Sequence, residues 1–109
     1  MHELAITESI VAAVTERLPD TRIRVLWVEI GRLSGVVPDA VRFCFDLVVA
    51  GTPLEGARLE IDEPAGRVHC RSCAAEFDTD QVLALCACGS ADVHPLRGTE
   101  LCVRQVEVV

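Results

Sequence analysis

A chain of 109 residues is long enough for one small domain, or for one domain that carries a smaller appendage. Half of its residues are apolar but only 4% are aromatic, so its core must be built from aliphatic side chains. The formal charge of −7 argues against nucleic acid as a partner, because a phosphate backbone is bound by a basic surface. The N-terminus is acidic and no apolar stretch is long enough to span a bilayer, which predicts a cytoplasmic protein without a membrane segment.

The first half of the chain predicts two helices and two strands. Apolar residues recur at helical spacing over residues 3–18, and branched residues fill 23–30 with apolar side chains on both faces of a strand. A second helix is predicted over 38–50, since Pro38 suits a first helical turn and glycine and proline follow the segment. Residues 57–61 alternate between apolar and polar and indicate a second strand.

The second half carries a cysteine-rich segment, residues 68–96, and then an apolar strand, residues 100–109. A strand this apolar needs a sheet to join, and the nearest one is predicted in the first half. The predicted fold is therefore α+β, with two helices on a roughly three-stranded sheet formed by residues 1–66 and 98–109. Residues 67–97 are predicted to form a zinc-ribbon-like domain inserted into it.

Cys70, Cys73, Cys86 and Cys88 form two closely spaced pairs. Two thiolate pairs joined by one small loop match the tetrahedral preference of zinc. Metal binding would also supply folding free energy that the few apolar residues of this segment do not. A disulfide is the main alternative, but a reducing cytosol favours metal. A redox pair of the thioredoxin type would leave the second cysteine pair unexplained.

Met1, His2 and Glu3 form a candidate nickel site at the start of the first helix. The amine, the backbone nitrogen of His2 and its imidazole can close two consecutive chelate rings on one cation. Glu3 can add a fourth donor through its backbone nitrogen or its carboxylate, and such donors suit Ni(II) or Cu(II). The first N–H groups of a helix have no intrahelical acceptor, so deprotonating them breaks no helical hydrogen bond. The alternative is an ordinary helix start in which Glu3 is a first-turn acid.

The other chemistry-bearing residues have simpler explanations. Cys44 and Cys102 are expected in the core as small hydrophobic residues. His69 and His94 are expected to be surface histidines, or to contact a metal ligand without binding the ion themselves. The sequence has no Ser-His-Asp group, phosphate loop or paired-carboxylate cleft, so we expect no enzyme.

Several motifs together resemble the HypA/HybF family of hydrogenase-maturation nickel metallochaperones. They are the Met-His-Glu-Leu start, the segment 28–35, both cysteine pairs and the closing segment 98–101. The resemblance covers essentially the whole chain, and the joint pattern is far more specific than any one motif. Family members deliver Ni(II) to the large subunit of NiFe-hydrogenase with a partner GTPase, and some also serve urease and its accessory proteins.

By matching positions, the resemblance implies a nickel site with His2 as the main ligand, Met1 supplying its amine and Glu3 assisting. It also implies a structural zinc ion held by Cys70, Cys73, Cys86 and Cys88.

One feature departs from the family pattern, because the second cysteine pair is CxC and not CxxC. A CxC pair cannot form the same knuckle with backbone N–H bonds to sulfur, which predicts a more open geometry and a more labile zinc. His69 or His94 is then an alternative fourth ligand. The alternative function is a structural zinc-ribbon adaptor that binds a protein and transfers no metal. A zinc-dependent enzyme would need an open coordination position, against which four sulfurs argue.

Overall fold

A computed structural model describes residues 2–109 and confirms the predicted α+β architecture. The described residues form α1 (Glu3–Arg17), β1 (Ile23–Ile30), α2 (Pro38–Val48), β2 (Arg58–Asp62), β3 (Gly66–Cys70), β4 (Glu76–Thr79), β5 (Val93–Arg97) and β6 (Leu101–Val108). The strands form two three-stranded sheets, ordered β2-β1-β6 and β4-β3-β5. The predicted helices and strands outside the cysteine-rich segment are found with ends that differ by at most two residues. None of the described helices is long and apolar enough to cross a membrane.

Contacts group the described residues into two compact units. Unit 1 comprises the residues up to Val28, Val36–Ile61 and Cys102–Val109, and unit 2 comprises Glu29–Gly35 and Asp62–Leu101. Unit 1 contains both helices, and unit 2 contains the sheet β4-β3-β5 and all residues between the two cysteine pairs. The domain division predicted from the sequence stays a prediction, because grouping by contacts does not test whether either part folds alone.

The core of unit 1 is aliphatic, as the composition predicts. Helix α1 packs on α2 and buries Val11 and Val14. Strand β1 buries the neighbouring residues Val25 and Leu26. Adjacent residues of a strand point to opposite faces, so both faces of β1 are covered, which confirms the prediction for this strand.

The buried face of α1 differs at its first turn from the predicted stripe. The helical spacing of Leu4, Val11, Val14 and Leu18 in the sequence predicts a core position for Leu4. Leu4 is instead half exposed, and Thr7 is buried in the register that continues to Val11 and Val14. The Thr7 hydroxyl donates to the carbonyl oxygen of Glu3 at 2.7 Å. Because this hydrogen bond satisfies the hydroxyl, threonine can occupy a buried position at little cost.

Strand β6 lies at the edge of its sheet, and most of its side chains are exposed. Leu101, Val103 and Val108 remain partly exposed, although the sequence predicted an apolar strand joined to the core. The prediction that Cys102 is a core residue is wrong, because its side chain is exposed. An edge strand has a neighbouring strand on one side only, so its side chains have neighbours along the sheet on that side alone.

A close backbone approach in unit 2 requires glycine at position 31. The N–H of Gly31 donates to the carbonyl of Glu100 at 2.7 Å, and the N–H of Leu33 donates to the carbonyl of Gly98 at 2.7 Å. A Cβ atom on Gly31 would overlap the Gly98 carbonyl group. The Gly98 carbonyl belongs to the backbone and is held by its hydrogen bond from Leu33, so it cannot move away from an added Cβ without breaking that bond.

We expect Gly31→Ala to lower the free energy of unfolding by about 2–4 kcal/mol, because the added methyl group forces the paired segments apart. Gly35→Ala is the matched control, since Gly35 has a φ of +79° and nothing within 4 Å of the added Cβ. Backbone strain alone should cost that variant about 1 kcal/mol. Denaturant unfolding at one fixed metal content measures both values, and equal losses would contradict the close approach.

Candidate metal centres

The four cysteines of the two predicted pairs come together in unit 2. The Sγ atoms of Cys70, Cys73, Cys86 and Cys88 all lie within 4.8 Å of one another. The Sγ atoms of Cys73 and Cys86 are 3.5 Å apart, and those of Cys70 and Cys88 are 3.8 Å apart. Four sulfurs bound to one zinc ion at about 2.3 Å in a tetrahedron lie about 3.8 Å from each other. The spacing therefore fits a closed thiolate site for a metal such as zinc.

The first pair, Cys70 and Cys73, is held by a turn at the end of β3. The Cys70 N–H donates to the carbonyl of Ala75 at 2.8 Å, and the Ala74 N–H donates to the carbonyl of Cys70 at 2.9 Å. Ala74 has a φ of +64°, a left-handed conformation that lets the chain reverse tightly. This turn aims backbone N–H groups at the sulfurs: those of Cys73 and Ser72 reach Cys70, and that of Ala75 reaches Cys73.

These backbone contacts and the neighbouring thiols set the pKa values of the metal-free cluster. Hydrogen bonds from the backbone N–H groups of Cys73 and Ser72 lower the pKa of Cys70 to about 6. The Ala75 N–H also lowers the pKa of Cys73, but the contacts with Cys86, Cys70 and the other neighbours outweigh it and raise that pKa to about 12. Crowded thiolates repel one another, so the later protons are held tightly. A dication removes this repulsion, which is why the cluster favours metal over free thiols.

The second pair, Cys86 and Cys88, reaches the same cluster in spite of its CxC spacing. The Cys86 N–H donates to the carbonyl of Ser90, and the Gly89 N–H donates to the carbonyl of Cys86, each at 2.9 Å. The backbone N–H of Ser90 contacts the Cys88 sulfur. The hydroxyl oxygens of Ser72 and Ser90 lie 2.8 Å apart and connect the turns of the two pairs. The sequence analysis assigned no role to these serines.

The two histidines considered as replacement ligands are not members of this cluster. Within residues 2–109, the only group of three or more metal-binding side chains close enough to share an ion consists of the four cysteines. Cys70 and Cys86 are buried, whereas Cys73 and Cys88 are exposed. The positions of the sulfurs support the predicted four-cysteine ligand set.

We expect Cys88→Ser to weaken zinc binding by at least the 10–100-fold that is typical when a group supporting a metal ligand is lost. Three thiolates would remain, so the metal should become labile and not absent. Cys102→Ser removes an exposed cysteine outside the cluster and is the matched control. Competition with a chromophoric chelator measures the change. Unchanged, tightly held zinc in the Cys88 variant would assign the fourth ligand elsewhere.

The predicted nickel ligands lie at the start of α1. Met1 is outside the described residues, so its amine has no described position. His2 is exposed and directly precedes the helix, and its carbonyl accepts the first helical hydrogen bond from the Ile6 N–H at 3.0 Å. Glu3 is the first residue of α1. The backbone N–H groups of His2 and Glu3 therefore precede the first helical donor, as the sequence analysis expected.

The carboxylate of Glu3 has a partner that the sequence did not reveal. Its Oε2 accepts a hydrogen bond from the backbone N–H of Val37, which directly precedes α2, at 3.0 Å. This contact joins the starts of the two helices across 34 residues of sequence. It is the largest cause that holds the pKa of Glu3 below its usual value. The carboxylate is thus engaged within the protein, while the backbone nitrogen of Glu3 is not used by the helix.

This contact predicts a pH dependence for the stability of unit 1. Because the pKa of Glu3 is lowered by folding, its stabilisation is fully present above the ordinary value of 4.5 and is lost as the pH falls through the folded value. We expect wild type to melt at a higher temperature than Glu3→Gln at pH 6, with the gap closing at acidic pH. Glu16→Gln, in the last turn of the same helix, controls for the loss of one charge. A gap that stays constant with pH would contradict the contact.

The fold and the four-sulfur cluster define a small α+β metal-binding protein. A family model described as "Hydrogenase/urease nickel incorporation, metallochaperone, hypA" matches residues 1–108. The hydrogenase maturation factor HypA of a Nostoc species is 45% identical over 108 residues, covering 99% of this chain and 96% of the relative. The corresponding factor of Geobacter sulfurreducens is 45% identical over 109 residues, covering 99% of each chain. The chain belongs to the HypA family of hydrogenase maturation factors and nickel metallochaperones, which confirms the resemblance seen in its motifs.

A solved structure shares the fold. The solution structure of the Ni metallochaperone HypA from Helicobacter pylori covers 100% of this chain and 98% of that chain, with a TM-score of 0.68. At 22% identity this likeness concerns the fold alone. It agrees with the mixed architecture predicted from the sequence.

Proposed function

We propose that this protein carries Ni(II) at its N-terminus and delivers it during the maturation of a NiFe-hydrogenase, with a resident zinc ion at its four cysteines. The observation that carries the proposal is the exposed start of α1, where His2 precedes the first helical hydrogen bond. Membership of a nickel metallochaperone family supports nickel as the cargo. A donor must release its ion to another protein, and the exposed His2 at the start of α1 suits that task.

The nickel ligands proposed here are the amine of Met1, the backbone nitrogen and imidazole of His2, and the backbone nitrogen of Glu3. These donors can close consecutive chelate rings in one plane, which suits Ni(II). Their deprotonated amides bring negative charge to the positive end of the helix dipole. The carboxylate of Glu3 would act differently, since its hydrogen bond to Val37 holds the start of α1 in place.

The two proposed sites separate their metals by ligand softness. Thiolates hold zinc firmly in a closed site, whereas nitrogen donors at an exposed chain end hold nickel loosely enough for transfer. A bound zinc ion would supply folding free energy to unit 2. Four sulfur ligands leave no open position for a substrate, so we infer that the protein is not an enzyme.

The receivers of nickel are proposed from the family. We infer that a maturation GTPase and the large subunit of a NiFe-hydrogenase receive it in the cytoplasm. The family description also names urease, so urease accessory proteins are alternative receivers. The charge of −7 suits a basic protein surface as partner and disfavours nucleic acid.

Nickel titration of three forms tests the proposal: protein with a native N-terminus, His2→Ala, and protein extended by residues before Met1. We expect both altered forms to bind Ni(II) at least about tenfold more weakly, because each loses donors of the chelate. Calorimetry gives the affinities, and elemental analysis should show the same zinc content in all three. Equal nickel binding by the three forms would contradict the proposal and favour a structural zinc-ribbon adaptor.

A further inference from the structure

Three metal-binding side chains lie in one row across the sheet of unit 2. His69 on β3 is directly opposite Glu76 on β4 and directly opposite His94 on β5. Residues directly opposite each other on antiparallel strands project from the same face of a sheet. Glu76, His69 and His94, which we name the histidine row, therefore share one face.

We propose that the histidine row is an additional binding site for a divalent transition-metal ion, with the two imidazoles as ligands. It uses none of the residues of the cysteine cluster or of the N-terminus, and it goes beyond the function proposed above. Imidazole nitrogen is a suitable donor for Ni(II), Cu(II) and Zn(II).

The spacing of the two rings fits a shared ion. The ring centroids of His69 and His94 are 5.3 Å apart, and the ring planes are inclined by 60°. An ion about 2.0–2.1 Å from one nitrogen of each ring would lie about 3.2 Å from each centroid, so centroids up to about 6.4 Å apart can share it. The observed separation is within this limit without any movement of the strands.

One ring nitrogen of the row has no partner. The Nδ1 atom of His94 is buried and makes no hydrogen bond to any of residues 2–109. Buried polar atoms are nearly always paired, because an unpaired one loses its contact with water and gains nothing in return. A bound metal ion, or a proton donor that takes its place, would satisfy an atom of this kind.

Glu76 is suited to position His69. Its Oε2 lies 3.7 Å from Nδ1 of His69, and carboxylates beside metal-binding histidines commonly hold one ring nitrogen so that the other faces the metal. The other oxygen, Oε1, lies 3.6 Å from the guanidinium of Arg67, which also pairs with Asp78 at 2.8 Å. Because Arg67 shares this carboxylate, we assign Glu76 a positioning role and assign the ligand role to the imidazoles.

The row is distinct from the cysteine cluster although His69 is adjacent to Cys70. Neighbouring residues of a strand point to opposite faces, and Cys70 is buried while His69 is partly exposed. An ion on the histidine row would therefore be on the other face of β3 from the sulfurs. Two imidazoles and water would hold it more weakly than four thiolates, which suits an ion in exchange with its surroundings.

The test uses zinc-loaded protein that carries His2→Ala, so that His69 and His94 are the only histidines left of the three. Ni(II) is titrated by calorimetry while NMR follows the imidazole resonances. We expect one ion per chain, with the resonances of both rings shifted. His69→Gln or His94→Gln, which keep a polar side chain of similar reach, should each weaken binding at least about tenfold. Glu76→Gln should weaken it several-fold while both rings still respond.

Glu63→Gln is the matched control, since it removes one negative charge from an exposed residue of the same unit outside the row and should leave the affinity unchanged. Zinc content and nickel–thiolate absorption are measured in every sample. The proposal fails if no Ni(II) binds, if binding survives both histidine substitutions, or if nickel binds with thiolate absorption and loss of zinc. Because His2 is absent from this background, such a failure would not bear on the N-terminal nickel site.

Discussion

Mutual repulsion among four crowded sulfurs is the constraint on which unit 2 depends. Few side chains of the unit stabilise it by being buried. Its buried hydrophobic residues are Ile30, Val68, Cys70, Ala84 and Cys86. Two of these five are themselves members of the cluster. Apolar residues of the loop that precedes the second pair contribute little, since Leu83 is 93% exposed. A bound cation would stabilise such a segment, because it would turn the repulsion between thiolates into four attractive contacts.

The turns around the sulfurs determine how strongly they attract a cation. Backbone N–H groups of Cys73 and Ser72 lower the pKa of Cys70, because they stabilise its thiolate form. A bound ion would displace the remaining protons. The hydroxyls of Ser72 and Ser90 connect the two turns at 2.8 Å, and the four sulfurs lie within 4.8 Å of one another although the second pair is one residue shorter than a CxxC motif.

In unit 1 the start of helix α1 is held in place by a side-chain contact, while His2 before it is exposed. The hydrogen bond from Val37 to the Glu3 carboxylate anchors α1 to the beginning of α2. The anchor uses the side chain of Glu3, and the backbone N–H groups of His2 and Glu3 precede the first N–H that donates within the helix, which is that of Ile6. The start of α1 is thus anchored through a side chain, while His2 beside it is exposed.

The sequence by itself determined what depends on local spacing: both helices, strand β1, the two cysteine pairs and the family. Periodicity and motif spacing are properties of short segments, so they can be recognised in the sequence without knowledge of the fold. Only the tertiary structure placed Val37 beside Glu3, buried Thr7 in place of Leu4, left β6 exposed at a sheet edge and set His69 opposite His94. Strand register and sheet order bring together residues that are far apart in the chain, and no local pattern encodes which partner each one meets.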